Sequence, residues 1–173
     1  MIRIATLAFA LFACASCGGS SKGSVTSPFS PEDEALFDGS VEFVEDPAKL
    51  SGRWRDDWER EIGARAARAD VVFVGVLKTA RQGGDSKGRA FVDLGFEVEK
   101  TLKGKIDASV DLRSRADHPG HRTLGRAGDR VLGGRFVAFV KWIEEDGVVR
   151  GRFHLAHASD FVLSAVEFQL SKP

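Results

Sequence analysis

Two runs set the limits on what this chain can become: Val71-Val-Phe-Val-Gly-Val-Leu-Lys-Thr79 and Phe91-Val-Asp-Leu-Gly-Phe-Glu-Val-Glu-Lys-Thr-Leu-Lys-Gly104. In the second, Val92, Leu94, Phe96 and Val98 alternate with Asp93, Gly95, Glu97 and Glu99. A period of two predicts a strand with one face buried and one in water. The first run is apolar on both faces, so both must be covered. Gly75 in its middle predicts a bulge or sharp bend. A bent, doubly covered strand followed by a long alternating one suits a small closed barrel.

The rest of the chain extends this pattern. Ser109–Arg113 reads as a third strand with Val110 and Leu112 inward. Ser114–Gly134 reads as a long Gly-rich, basic connection. Arg135–Ile143 reads as a fourth strand, with Phe136, Ala138, Val140 and Trp142 on one face. Asp146-Gly147 is a hairpin signal, and Val148–Leu155 reads as the fifth strand. Asp160 can cap a last element, Phe161–Leu170, whose pattern suits a helix or a strand, with the helix preferred. Before the strands, Ser51–Ala69 reads as a helix with Trp54, Trp58, Ile62 and Ala66 in one apolar stripe. That stripe predicts docking on the barrel rather than a ligand platform. Asp56 with Arg60, and Glu61 with Arg65, are i,i+4 pairs assigned to wet faces.

The N-terminus reads as an address. Arg3 precedes an apolar run from Ile4 to Ala13, ten residues long. That is too short to span a bilayer and right for a signal-peptide core. Cys14-Ala-Ser-Cys17-Gly-Gly-Ser-Ser follows, and the chain has no other cysteine. Small residues before a cysteine, then a Gly/Ser stretch, resemble the lipobox of bacterial lipoproteins. The resemblance implies cleavage and acylation at Cys17, because Ala15 and Ser16 are both small; Cys14, with Leu11 three residues before it, is the alternative. An ordinary cleaved signal with incidental cysteines is the plainer reading. The residue after either cysteine is not Asp, which points to the outer membrane of the cell envelope. The domain reading is therefore a signal peptide over 1–16, a flexible tether with room for a short helix over 17–45, and a helix plus barrel domain over 46–173. Ser30-Pro31-Glu-Asp-Glu34 is the helix start within the tether.

Five strands, a long connection before the fourth, and flanking helices describe an OB-fold-like barrel of mainly β class. The residues carry a resemblance as well. Ala69-Asp-Val-Val-Phe-Val-Gly75, Phe96-Glu-Val-Glu-Lys-Thr-Leu-Lys-Gly104 and Gly133-Gly-Arg-Phe-Val-Ala-Phe-Val140 resemble bacterial netrin-like OB domains. These in turn are similar to the inhibitory domain of tissue inhibitors of metalloproteinases. The resemblance covers about Ala69 to Leu170. It implies a fold, not an activity. Those inhibitors place a disulfide-bonded N-terminal cysteine on the enzyme's zinc, whereas Cys17 here reads as acylated and lies some fifty residues before the barrel. Inhibition by that route is not expected, and no functional residue carries over.

Chemistry-bearing residues are few. All four histidines form two H-x-x-H pairs, His118/His121 and His154/His157. If the four met, with Asp117 or Asp160, they could ligate zinc or another transition metal. Residues i and i+3 on a regular strand face opposite sides, so the second pair would need a turn. The expectation is accordingly no metal and no cofactor, with the histidines as the candidates to examine. Arg113–Arg122 is basic, but the formal net charge of the chain is zero, which gives no footprint for nucleic acid. No G-x-S-x-G or H-E-x-x-H occurs, and Gly83–Gly88 joins two strands rather than opening a helix as a phosphate loop must. The sequence reading is a membrane-anchored envelope lipoprotein, not an enzyme, acting as a binding or assembly module on a protein or glycan partner. The alternative is a metal-dependent, His-ligated hydrolase or metal-binding protein.

Overall fold

The computed structural model describes residues 23–42, 44, 46–145 and 147–172. In chain order the elements are α1 (Pro31–Leu36), β1 (Ser40–Val41), α2 (Arg53–Arg68), β2 (Val71–Gly84), β3 (Ala90–Lys103), β4 (Ser109–Arg115), α3 (His121–Ala127), β5 (Arg135–Glu145), β6 (Val148–His157) and α4 (Asp160–Leu170). Short 3-10 turns lie at Pro47–Lys49 and Gly128–Val131. No helix among the described residues is long and apolar enough to cross a membrane.

The alternation in β3 does what its period requires. Val92, Leu94 and Phe96 are buried on the inner face with Val71, Phe73 and Leu77 of β2 and Phe136, Ala138, Val140 and Trp142 of β5. Phe73, Phe96 and Phe136 meet edge to face, with ring centroids 5.7 and 6.5 Å apart. The other faces of β2 and β5, Val72, Val74, Val137 and Phe139, form a second core under α2 and α4. The doubly apolar run is thus covered twice, as its composition demands.

Gly75 sits at a bulge. Val74 pairs with Lys100 and Gly75 with Val98, so β3 carries one extra residue, Glu99, at this point. Two further register shifts flank it, between Val72 and Phe73 and between Leu77 and Thr79. Bulges increase bend and twist, and the sheet coils until the Leu112 side chain of β4 packs on Gly151 of β6.

The sheet nevertheless stays open. Its strand order is β1-β6-β5-β2-β3-β4, six strands rather than five, and among the described residues no ladder joins β4 to β6. The closed barrel is therefore corrected to an open mixed sheet. The reason lies in the segment before β1. Gly39 donates its amide to Phe153 O at 2.8 Å, and Ser40 and Val41 pair in parallel with His154 and Leu155. This segment takes the β6 edge, and β4 meets it through a side chain only: Ser114 Oγ donates to Gly39 O at 2.8 Å.

Several local readings change. In α2, Trp58, Ile62 and Ala66 are buried as the stripe predicts, but Trp54 is 76 % exposed. α2 and α4 run alongside each other, with Trp58 against Phe161 and Gly63 against Gln169. Phe161 is in the first turn of α4, so the turn of α2 that carries Trp54 projects beyond it. Arg60 bonds Asp57 at 2.7 Å, not Asp56. Glu61–Arg65 forms at 3.0 Å, but Arg65 is buried rather than on a wet face. The Ser114–Gly134 connection contains α3, and Leu124 and Val131 enter the inner core. Ser159, not Asp160, caps α4. Within the stretch read as tether, Ser30 and Asp33 form a capping box on α1, and Phe37 and Val41 are core residues.

Candidate functional site

His154 and His118 border the segment that plugs the open seam, and His121 meets Ser114, which bonds that segment. His154 lies on the outer side of β6, with Nδ1 3.0 Å from Asp38 Oδ1 and 3.4 Å from Ser40 Oγ. Its Nε2 is 3.6 Å from Glu42 Oε2, which is 3.7 Å from Arg65 Nη1. Arg65 Nε also donates to Leu36 O at 3.2 Å. This chain of buried and half-buried groups ties β1 to both β6 and α2. Burial alone would raise the Asp38 and Glu42 carboxyls. Hydrogen bonding and charge from His154, with Ser40 on Asp38 and Arg65 on Glu42, more than reverse it, and both lie below the usual carboxylate range.

Asp38, Ser40 and His154 are the residue types of a catalytic triad, but not its geometry. The Ser40 hydroxyl and the Asp38 carboxylate address the same ring nitrogen, Nδ1, whereas proton transfer through the ring needs them on opposite nitrogens. Ser40 Oγ also donates to Asp38 at 2.8 Å. The arrangement can hold a charge and fix a strand.

His118 is buried at the turn after β4. Its Nδ1 accepts the Arg115 amide at 3.2 Å, and its Nε2 is 3.9 Å from Glu145 Oε1. Burial, the nearby Arg152 and Arg115 guanidinium groups and His121 push its pKa down to about 3, so the ring is neutral. Glu145 accepts from Arg115 at 3.0 Å and from Arg152 at 3.0 Å, bridging β4 to the β5–β6 hairpin across the seam. His121 Nδ1 is 3.4 Å from Ser114 Oγ. His157 packs on Phe136, ring centroids 5.1 Å apart, on the inner side of β6. β6 stays regular through His157, so the second H-x-x-H pair splits between two faces as strand alternation requires. Among the described residues no three His, Cys, Asp or Glu side chains are placed to hold one metal ion. Cys14 and Cys17 lie outside the described residues.

A second feature is the outer face of the first half of β3, of β4 and of the far half of β2, which no helix covers among the described residues. Register places Thr79, Gly95 and Asp111 in one row, Arg81, Asp93 and Arg113 in the next, and Gly83, Phe91 and Arg115 in the third. Arg113 grips Asp93 with two bonds of 2.6 and 2.7 Å, and its guanidinium lies 3.8 Å from the Phe91 ring centre. The Phe91 ring in turn lies over Gly83, where a Cβ would come within 2.6 Å of it. At Gly95 a Cβ would meet the Thr79 hydroxyl and the Asp111 carboxylate at 2.5 and 3.1 Å. The two glycines let long side chains lie flat, so the face is level, polar and part aromatic. Only the alternation of β3 announced this face in the sequence; the Arg113–Phe91 stack had no local signal.

A cleft of about 570 Å³ lies at the C-terminus of α2, lined by Arg68, Asp70, Lys103 and Lys141 among others. Its lysines are engaged. Lys103 Nζ donates to the Ala66 and Ala67 carbonyls at 2.9 and 2.8 Å, and Lys141 Nζ to Ser27 Oγ at 2.7 Å. They satisfy carbonyls the helix leaves unpaired and complement its dipole.

No protein-family model matches the chain, and no curated protein matches it.

Proposed function

We propose that this chain is a lipid-anchored protein of the bacterial cell envelope, acylated at Cys17, that works as a non-catalytic binding or assembly module. The uncovered face of β2, β3 and β4 carries this reading. It is flat, it holds Phe91 under Arg113, and Arg113 is itself paired with Asp93 within the face. Such a surface suits a protein or glycan partner held by many modest contacts. The topology is consistent with it. The order β6-β5-β2-β3-β4 is the ring order of a five-stranded OB barrel cut between β4 and β6, and OB-folds bind ligands over the strands equivalent to β3 and β4.

Two experiments test the reading. A photo-reactive residue at Arg81, in cells, should give a discrete crosslinked adduct that Phe91→Ala abolishes; crosslinking that ignores Phe91 removes the face from consideration. Metabolic labelling with a fatty-acid analogue should mark the protein and be lost in Cys17→Ser. Label that survives Cys17→Ser and disappears in Cys14→Ser moves the anchor to Cys14.

A further inference from the structure

Gly23 packs so closely on the Trp142 indole that a Cβ there would overlap the ring. From that point the chain is docked. The Thr26 hydroxyl donates to Asp70, Ser27 accepts from Lys141, and Arg152 lies 5.4 Å from the centre of the Phe29 ring. Gly23 stands only six residues after Cys17. A fully extended chain covers about 3.3–3.6 Å per residue, so at most about 20 Å separates the two. With Cys14 as the anchor, nine residues away, the reach is about 30 Å. The Trp142 end of the sheet is therefore held near any membrane that carries the lipid.

Register defines what else lies at that end. Val71 pairs with Val140 and Val72 with Lys103. The start of β2, the end of β3, the end of β5 and the start of β6 thus lie together. Val148 and Val149 are 50 % and 42 % exposed there, and Val25, two residues past Gly23, is 41 % exposed. Of the charged residues that follow β3 or flank the hairpin, Lys105, Asp107 and Glu144 are exposed and Arg150 is half-buried, so their charges balance. Exposed valines close to the anchor have the apolar chemistry of a surface that rests at the headgroup boundary.

We infer that this end of the sheet, with Val148, Val149 and Val25 leading, lies on the bilayer that holds the acyl chains. The β2–β3 turn, at the opposite end of the β2–β3 ladder, then points away from it. This rests on the proposed acylation.

The test uses the full chain, processed and acylated in a bacterial host and reconstituted in phosphatidylethanolamine–phosphatidylglycerol vesicles. Processing at Cys17 removes Cys14 and blocks Cys17, so one introduced cysteine is the sole thiol. An environment-sensitive dye is placed by Val149→Cys or, independently, Lys105→Cys, with Lys87→Cys in the β2–β3 turn as the far probe. Nitroxide-headgroup lipids should quench the two near probes at least twofold more than the far one. Equal quenching, or stronger quenching at residue 87, in protein that floats with the vesicles overturns this orientation and leaves acylation standing. Protein that does not float overturns both.

Discussion

Gly75→Val is the sharpest test of how the sheet is bent. A Cβ at Gly75 would sit 2.7 Å from Glu97 O and 3.1 Å from the Phe73 ring. The first contact is with backbone, which cannot swing aside as a side-chain tip can. Reaching an ordinary separation needs an opening of roughly 0.7 Å between β2 and β3 at the bulge, since carbon contacts are relaxed at about 3.5 Å. Phe73 cannot yield either, because it is fully buried against Phe96. Overpacking of this kind costs about 1–3 kcal/mol. Valine's β propensity returns at most about 1 kcal/mol, because glycine and valine lie near opposite ends of a scale that spans about 1. The net is a loss of up to about 2 kcal/mol. Gly75→Ala should lose most of it, since the clash is already complete at Cβ. The assay is equilibrium urea unfolding of the Cys17→Ser chain, read as a shift in midpoint at constant slope. A valine variant as stable as its parent would refute the bulge as the origin of the bend.

Trp58→Ala should cost about 3–5 kcal/mol as a large core truncation, while Trp54→Ala, at 76 % exposure, should stay within about 0.5; equal melting shifts would contradict the docking of α2. His118, with its pKa pushed down to about 3, stays neutral in the fold while the unfolded chain protonates near 6.5. Its contribution is therefore full above about pH 6.5 and falls by up to about 1.4 kcal/mol per pH unit as pH drops towards 3. His118→Gln should flatten that slope, and a His118 NMR titration near 6.5 would exclude the mechanism. Gly39→Ala should cost about 1–3 kcal/mol, because φ is +74° and a Cβ would meet His118 Nδ1 at 2.8 Å and Ser114 Oγ at 2.9 Å; an unchanged urea midpoint would show that the seam relaxes freely.

What was legible in the sequence was what periodicity can carry. The inner face of β3, the doubly covered β2, the inner face of β5, the Gly75 bulge and the helical preference after Ser159 all follow from spacing within one element. What was hidden depends on elements distant in sequence. Ser40 and Val41 are too few to show a period, and their pairing with His154 and Leu155 spans over a hundred residues. Arg65 reads as a wet-face partner of Glu61; it is buried because Leu36 O and Glu42 reach it from the N-terminal segment. Leu124 sits among Gly120, Gly125 and Gly128, which mask the helix that delivers it to the core. The histidine spacing carried no sign of His154's partners, Asp38, Ser40 and Glu42, which had no signal of their own.

The N-terminal segment has two roles that bear on each other. It plugs the seam between β4 and β6 by polar contacts: Gly39 to Phe153 and Ser114, Gly120 N to Asp38 O at 2.8 Å, and His154 to Asp38. It is also the path from the proposed anchor to the body. Any pull between membrane and partner therefore travels through Gly23–Phe29 and α1 before it reaches the sheet. Along that path the chain is held at Asp70, at Lys141, and then by Arg68. The Arg68 guanidinium contacts Ser30, Glu32 and Asp33 at 2.7–2.9 Å. Asp33 is buried while the Arg68 side chain is 38 % exposed, so the contact is shielded on its carboxylate side only. On the proposed anchoring, load meets α2, on the covered side of the sheet, before it reaches Gly39 and the backbone and side-chain bonds of the seam.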